Sequence, residues 1–220
     1  MRVPKVLQSL PDPDARLLLR AGKVHEYARR DVLVHEGEVA DSFHIVLDGR
    51  AAVRVTTPAG ESAIVNILGP DSHFGEVSLL GRSDPRRTAS IVALEPMRTL
   101  SIPAAVFRDL RDRNPRLEQL VSGILARRVD ELSAQVVEAM YDSLEHRVIH
   151  RLAQLAEVYG SGSGGEVTIP LTQDELSQLV GGARPSVNQV LRRLVDEGLI
   201  AVGRGRVTIA DVTALERRAS

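Results

Sequence analysis

The sequence contains no cysteine, which excludes disulfides, thiolate nucleophiles, cysteine-ligated zinc and cysteine-held iron–sulfur clusters. No run approaches the roughly 18 consecutive apolar residues of a membrane-crossing helix. The amino terminus, Met1-Arg2-Val3-Pro4-Lys5-Val6, lacks the apolar core and small-residue cleavage site of a secretory signal, so a cytoplasmic location is expected. Excess charge of either sign is missing too. A net charge of −1 carries no footprint for nucleic acid, which has to be sought locally. What is present is 220 residues, 43% hydrophobic and 26% charged, enough for one large or two modest domains with their own cores.

The pattern changes along the chain. Residues 5 to 22 read as short helical pieces, Val6-Leu7 and Leu17-Leu18-Leu19, broken by Pro11 and Pro13. From Val24 to about Pro103, short apolar runs alternate with turn residues every eight to twelve positions, the signature of an antiparallel barrel or sandwich. The expected strands contain Val32-Leu33-Val34, Phe43/Ile45/Leu47, Ala51/Val53/Val55, Ile64/Val65/Ile67 and Ile91/Val92/Leu94. Asp48-Gly49 predicts a tight hairpin; Glu36-Gly37-Glu38, Ala59-Gly60 and Gly69-Pro70-Asp71 predict further turns.

Beyond Pro103 the apolar period shifts from about two to about 3.6, the helical value. A short helix is expected over Pro103 to Arg111 and a long one from Pro115 to about Leu144. Leu125, Val129, Leu132, Val136 and Ala139 recur at alternating spacings of four and three, the seam of a two-stranded coiled coil. Leu117, Leu120 and Ile124 form a neighbouring face for the barrel. Two apolar faces favour a homodimer over a helix buried only in its own domain. A second helix over Glu145 to Tyr159 and a flexible Gly160 to Gly165 loop follow.

Thr172-Gln173-Asp174-Glu175 is a capping box, opening a helix with Leu176, Leu179 and Val180. Gly181-Gly182-Ala183 makes a turn, Pro185 suits the first turn of the next helix, and Gly198 ends it. With Val187, Val190, Leu191 and Leu194 buried, Arg184, Ser186, Asn188, Gln189, Arg192 and Arg193 remain to meet phosphates or base edges in a major groove. Leu199 to Ile209 reads as a hairpin tipped by Arg204 and Arg206. From Gly182 to Arg206 five arginines face two acids, Asp196 and Glu197, a local basic footprint. The whole is a winged helix-turn-helix.

Earlier in the chain, Phe74-Gly75-Glu76-Val77-Ser78-Leu79-Leu80 and, after a polar loop, Arg86-Arg87-Thr88-Ala89-Ser90-Ile91 combine a glycine, a carboxylate, a planar guanidinium and a hydroxyl. Gly75 permits close backbone approach, Arg87 and Thr88 suit a phosphate, and Glu76 can accept from hydroxyls such as those of a ribose. Val65, Leu68 and Leu79 are expected as apolar walls. A surface ion pair between Glu76 and Arg87, contributing little, is the plainer alternative.

These residues, with Leu125-Ala126-Arg127-Arg128, Leu171 to Glu175 and Val180-Gly181, resemble the family of the bacterial cyclic AMP receptor protein and the fumarate and nitrate reduction regulator, over nearly the whole chain. The resemblance implies an α+β fold: a jelly-roll cyclic-nucleotide-binding β-barrel over residues 1–113, a dimerisation helix over 114–144 and a winged helix-turn-helix over 145–220. It implies a ligand set of Gly75, Glu76, Arg87, Thr88 and Ala89, with Val65 and Leu68 as walls and Leu132 and Ser133 toward the base. Glutamate would hold the ribose, and arginine with threonine the phosphate. The expected DNA-contacting residues are Thr172, Arg184, Ser186, Asn188, Gln189, Arg192, Arg204 and Arg206. The effector implied is cAMP or cGMP; the partners are double-stranded DNA with a two-fold operator, a second copy of the chain, and RNA polymerase if the protein activates.

Two positions depart from the family pattern. Cyclic-AMP-binding members carry Thr-Ser or Thr-Asn where this chain has Leu132-Ser133, so one base contact is missing. The family's Arg-Glu-Thr-Val-x-Arg becomes Arg184-Pro185-Ser186-Val187-Asn188-Gln189, which predicts a different operator. Two alternatives stay open: a regulator of the same fold that senses another ligand or binds DNA without one, and a nucleotide-binding regulatory subunit of an enzyme. No catalytic constellation is seen. His146 and His150 have a zinc-compatible spacing without a third ligand and are expected to pack or to face solvent; His25, His35, His44 and His73 are scattered. Arg127-Arg128 reads as a solvated or bridging pair and Arg217-Arg218 as a polar tail.

Overall fold

The computed structural model describes residues 3–80, 84–111, 114–160 and 165–219. Most of the polar loop between the two halves of the ligand motif, 81–83, and the centre of the glycine-serine loop, 161–164, lie outside the described residues. The chain divides into two compact units, Met1–Gly60 with Val65–Leu132 and Glu61–Ile64 with Ser133–Ser220.

In the first unit a 3-10 turn, Lys5–Leu7, precedes helix α1, Asp12–Ala21. The prolines expected to break this region instead start α1: Pro11 is the residue before its first turn and Pro13 lies within that turn, where the missing N–H costs no bond. Eight strands follow, the start of β5 being grouped with the second unit: β1 (Lys23–Tyr27), β2 (Val32–Val34), β3 (Ser42–Asp48), β4 (Ala51–Thr56), β5 (Ser62–Leu68), β6 (His73–Phe74), β7 (Ser90–Ala93) and β8 (Met97–Pro103). They form two four-stranded sheets, ordered β1-β8-β3-β6 and β2-β7-β4-β5, the two-sheet arrangement of a jelly roll.

Three strands escaped the sequence pattern, and one of them, β8, bonds to both β1 and β3. Its Thr99 is fully buried, so an alternation that looks half solvated is in fact internal. The Asp48-Gly49 turn also differs from expectation: β3 and β4 on either side of it belong to different sheets, so it is a corner and not a hairpin. Gly49 has φ +76 and lies against Met97 with no room for a Cβ.

Strand alternation divides the core in two. Phe43 and Ile45 of β3 face outward to α1, joining Leu7, Leu18, Leu79, Leu100, Ile102 and the helices that follow β8. Val34, Val46, Val53, Leu68, Phe74, Ile91 and Met97 fill the barrel interior, with Val65 and Ala89 packed against them. Leu79, expected as a wall of the ligand site, belongs to the outer cluster, because residues Glu76–Leu80 form a 3-10 helix rather than a loop and turn it away.

After α2 (Ala104–Arg111), helix α3 runs over Pro115–Tyr141 and α4 over Leu144–Tyr159. Asn114 Oδ1 accepts the Arg116 N–H at 2.9 Å and opens α3. Leu117, Val121 and Ile124, one face at helical spacing, are buried in the outer cluster. Leu125, assigned to the dimer seam, is half-buried and packs against the same cluster. Beyond it Val129 (61% exposed), Leu132, Val136, Val137, Met140 (68%) and Tyr141 stay uncovered. The long helix ends before Leu144 because Ser143 leaves helical geometry at ψ 156 and its hydroxyl accepts the His146 N–H, capping α4.

The second unit adds β9 (Val167–Ile169), α5 (Gln173–Val180), α6 (Arg184–Asp196), β10 (Ile200–Gly203), β11 (Arg206–Ile209) and α7 (Val212–Ala219). The sheet order β10-β11-β9 makes the expected hairpin three-stranded. Arg217-Arg218 is no loose tail but part of α7: Arg218 bonds Glu145 at 2.7 Å and Glu197 at 3.3 Å. Val148, Ile149, Leu152, Leu155 and Ala156 of α4, with Val187, Leu191 and Leu194 of α6, are buried.

Candidate ligand site and nucleic-acid interface

The first site is built on β3, β6 and the segment carrying Arg87. Residues 37–40 hold that segment through backbone bonds: Gly37 N–H to Arg87 O at 2.9 Å, Arg87 N–H to Glu38 O at 2.8 Å and Ala40 N–H to Pro85 O at 2.8 Å. The Arg87 side chain, only 5% exposed, then reaches β3, where Nη1 donates to Ser42 O and Nη2 to Ser42 Oγ, each at 2.9 Å.

Gly75 makes room for this. Its φ is +86, and a Cβ there would stand 2.5 Å from Arg87 Nη1 and 2.6 Å from Ser42 O. The glycine thus serves both the turn into the 3-10 helix and the passage of the guanidinium. Ser78 closes the turn, its hydroxyl donating to Gly75 O at 2.6 Å.

The surface ion pair between Glu76 and Arg87 does not form. Among the described residues the one carboxylate within 4.0 Å of Arg87 is the exposed Asp41, at 3.7 Å, beyond hydrogen-bond reach. Burial lowers the Arg87 pKa, partly offset by Asp41, Glu38 and Glu76. A buried cation bonded to neutral oxygens, with acids only around it, is an incompletely neutralised charge, and an anion would complete it. Thr88 is exposed beside it, Glu76 is half-buried, and Ala89, Val65 and Leu68 line the interior cluster. Ser133 and Leu132 are exposed on α3.

Sequence reading missed the residues behind Arg87. His44 is buried, stacked on Phe74 with centroids 4.6 Å apart and planes at 8°. Its pKa is lowered to about 3, first by burial and then by the nearby Arg87 and His25 charges. Its Nε2 lies 3.1 Å from Ser42 Oγ, and its Nδ1 3.5 Å from Thr99 Oγ1. The available signal was Ser42 and His44 at i, i+2 in an otherwise apolar strand, placing both on one face.

The second site is the helix-turn-helix. Thr172 Oγ1 accepts the Glu175 N–H at 3.1 Å while Glu175 Oε2 accepts the Thr172 N–H at 2.9 Å, the complete capping box. The Thr172 hydroxyl also donates to Glu175 Oε2 at 2.9 Å. Gly181, at φ 62, caps α5 in the left-handed region, and Leu199 N–H bonds Leu194 O at 3.0 Å past the end of α6.

On α6, Arg184, Ser186, Gln189 and Arg192 are exposed, as are Arg204 and Arg206 of the wing. Asn188 is not: it is half-buried, its Oδ1 has no partner among the described residues, and it lines a cavity of about 160 Å³ with Gln173, Leu191, Arg192, Val195, Asp196 and Val202. Arg193 is bound to Glu145 at 2.9 Å and locks α6 to α4. His146 and His150 lie against Asp142 and Glu138, at 3.6 and 3.4 Å. Among the described residues no group of three or more His, Asp or Glu could hold a metal ion, and no helix is long and apolar enough to cross a membrane.

A jelly roll with a buried arginine beside a glycine and a carboxylate, carried in one chain with a winged helix-turn-helix, defines a sensor joined to a DNA-binding module. The cyclic nucleotide-binding domain family matches residues 24–114, and the Crp-like helix-turn-helix domain family residues 146–218. The chain is 31% identical over 197 residues to a CRP-like cAMP-activated global transcriptional regulator of Mycobacterium tuberculosis, covering 88% of this chain and 87% of the relative. It is 30% identical to the cAMP-activated global transcriptional regulator CRP of Pasteurella multocida, covering 89% of this chain and 94% of that one. Its fold is similar to the Thermus thermophilus catabolite activator protein, with a TM-score of 0.54, 26% identity and 97% of each chain covered. The chain belongs to the CRP/FNR family of cyclic-nucleotide-responsive, CRP-like transcription regulators.

Proposed function

We propose that this protein is a homodimeric, cytoplasmic transcription regulator, not an enzyme, whose DNA binding is controlled by cAMP or cGMP in the sensor barrel. The observation that carries the reading is the buried Arg87 guanidinium at Gly75, hydrogen-bonded to Ser42 and, among the described residues, within ion-pair range only of the exposed Asp41 at 3.7 Å. The cyclic phosphate would complete its charge with the Thr88 hydroxyl, Glu76 would accept from the ribose, and Gly75 and Ala89 with Val65 and Leu68 would enclose the ring. Leu132 and Ser133 would meet the base.

The uncovered stripe of Val129, Leu132, Val136 and Ala139, widened by Val137, Met140 and Tyr141, supports a helix-to-helix dimer. Ligand must favour one arrangement of those helices, since only differential affinity shifts an equilibrium. Two copies of α6 would then read a two-fold operator in double-stranded DNA at roughly 34 Å spacing, using Arg184, Ser186, Asn188, Gln189 and Arg192, with Thr172, Arg204 and Arg206 on the backbone. If the protein activates, it also contacts RNA polymerase.

Calorimetry of the full chain with cAMP and with cGMP, followed by gel shifts with and without the ligand that binds, tests this. Binding of one nucleotide with ligand-dependent DNA retardation is the expected result. No heat with either at millimolar concentration would remove the nucleotide. The apolar Leu132 favours a second reading in that event, a regulator of the same family that senses another ligand or binds DNA without one.

A further inference from the structure

If Arg87 holds the ligand's phosphate, the reading on which this inference rests, then whatever fixes the guanidinium also fixes the anion. The guanidinium has five N–H donors, and Ser42 takes two of them, one from each terminal nitrogen. That is an end-on grip on the fork, which leaves the edge containing Nε as a second bidentate surface. The gripping atoms are themselves held. Ser42 O is fixed in the β3 backbone, opposite Pro103 of β8. Ser42 Oγ donates to Asp41 Oδ1 at 2.9 Å, so its contact with His44 Nε2 at 3.1 Å requires the ring nitrogen to carry the proton.

His44 is in turn locked flat on Phe74, its cross-strand partner, and Phe74 directly precedes Gly75. One face of β3 and the Phe74-Gly75 step therefore form a single cradle around Arg87. A neutral imidazole there bonds the serine without adding a second cation beside the arginine, and its low pKa keeps it neutral at physiological pH.

We propose that Ser42 and His44 are positioning residues for the ligand: they hold the end-on edge of Arg87 from behind, so that its Nε edge is preset for an anion they never touch. Fixing a long side chain before binding removes an entropy cost that the ligand would otherwise bear.

The test uses the full chain. Ser42→Ala should weaken cAMP binding about tenfold, as expected for one charge-assisted hydrogen bond, and Ser42→Thr should restore it. His44→Phe, which keeps the ring stack and loses Nε2, should weaken it about threefold. Adenosine, which has no phosphate, should bind wild type and Ser42→Ala equally; an equal loss for both ligands would mean a merely structural role and overturn the proposal. Nitrogen-15 relaxation of the Arg87 Nε–H supplies a ligand-free measurement. Its order parameter should drop below about 0.6 in Ser42→Ala, and no change would overturn the clamp. Failure of wild type to bind either cyclic nucleotide sinks the sensing reading alone, and the relaxation result then decides whether Ser42 holds Arg87.

Discussion

The sensor and the DNA-binding module handle polar chemistry in opposite ways. In the sensor the charge proposed to hold the ligand is buried: the Arg87 side chain is 5% exposed and bonds Ser42, 45 residues away in sequence. In the helix-turn-helix the functional charges are at the surface, and the buried polar work is local, as in the cap that joins Thr172 to Glu175 three residues later. A buried site is preorganised but sensitive to small changes of volume and charge. A surface site on capped helices tolerates such changes and responds to salt.

That contrast is sharpest in acid. Because the folded pKa of His44 lies near 3, below the 6.5 of an unfolded histidine, the unfolded chain binds an extra proton between these values. The stability His44 contributes is complete above about pH 6.5 and declines as pH falls toward about 3, by about 1.4 kcal/mol per unit at most. Urea unfolding followed at Phe74-side signals by NMR across this window should show the loss, and His44→Phe should flatten it. A slope unchanged by that substitution would remove His44 as its source.

Gly75→Val comes next. Positive φ and a Cβ between Arg87 and Ser42 should cost about 3 kcal/mol and abolish cAMP binding, as measured by urea unfolding and calorimetry. Thr172→Val removes a local cap and should cost only about 1 kcal/mol, with hydrogen exchange raised in α5 and cAMP affinity unchanged. A larger loss from Thr172→Val than from Gly75→Val would reverse the comparison. The smallest expected effect is on the wing: Arg204→Ala should lower the salt slope of DNA binding by about one and leave operator preference alone, in a fluorescence titration over salt.

The same contrast explains what could be read in advance. The cap lies within Thr172–Glu175 and the glycine turn and proline start of α6 within Gly181–Pro185, each a local signal, so the helix-turn-helix was legible in order. One exposure there differed from the pattern: Asn188 is half-buried, with its Oδ1 unpartnered among the described residues. In the sensor, Gly75, Glu76, Arg87 and Thr88 stood out because their types suit phosphate and ribose. Ser42 and His44 did not, since two polar residues in a strand ordinarily face water. Strand β8 was passed over for the same reason, as its buried Thr99 resembles a solvated position.

By itself the sequence determined the two-module order, the caps and turns, and the residue types fit to meet an anion and DNA. These rest on local sterics and on side-chain chemistry that needs no neighbour to be recognised. Tertiary structure alone decided that Arg87 bonds Ser42 of β3 rather than Glu76, that Leu79 belongs to the outer core with Leu125 packed against it, and that Arg193 and Arg218 both pair with Glu145 of α4. Each of those outcomes depends on which face of a strand or helix meets another element far along the chain, and period alone does not supply that pairing.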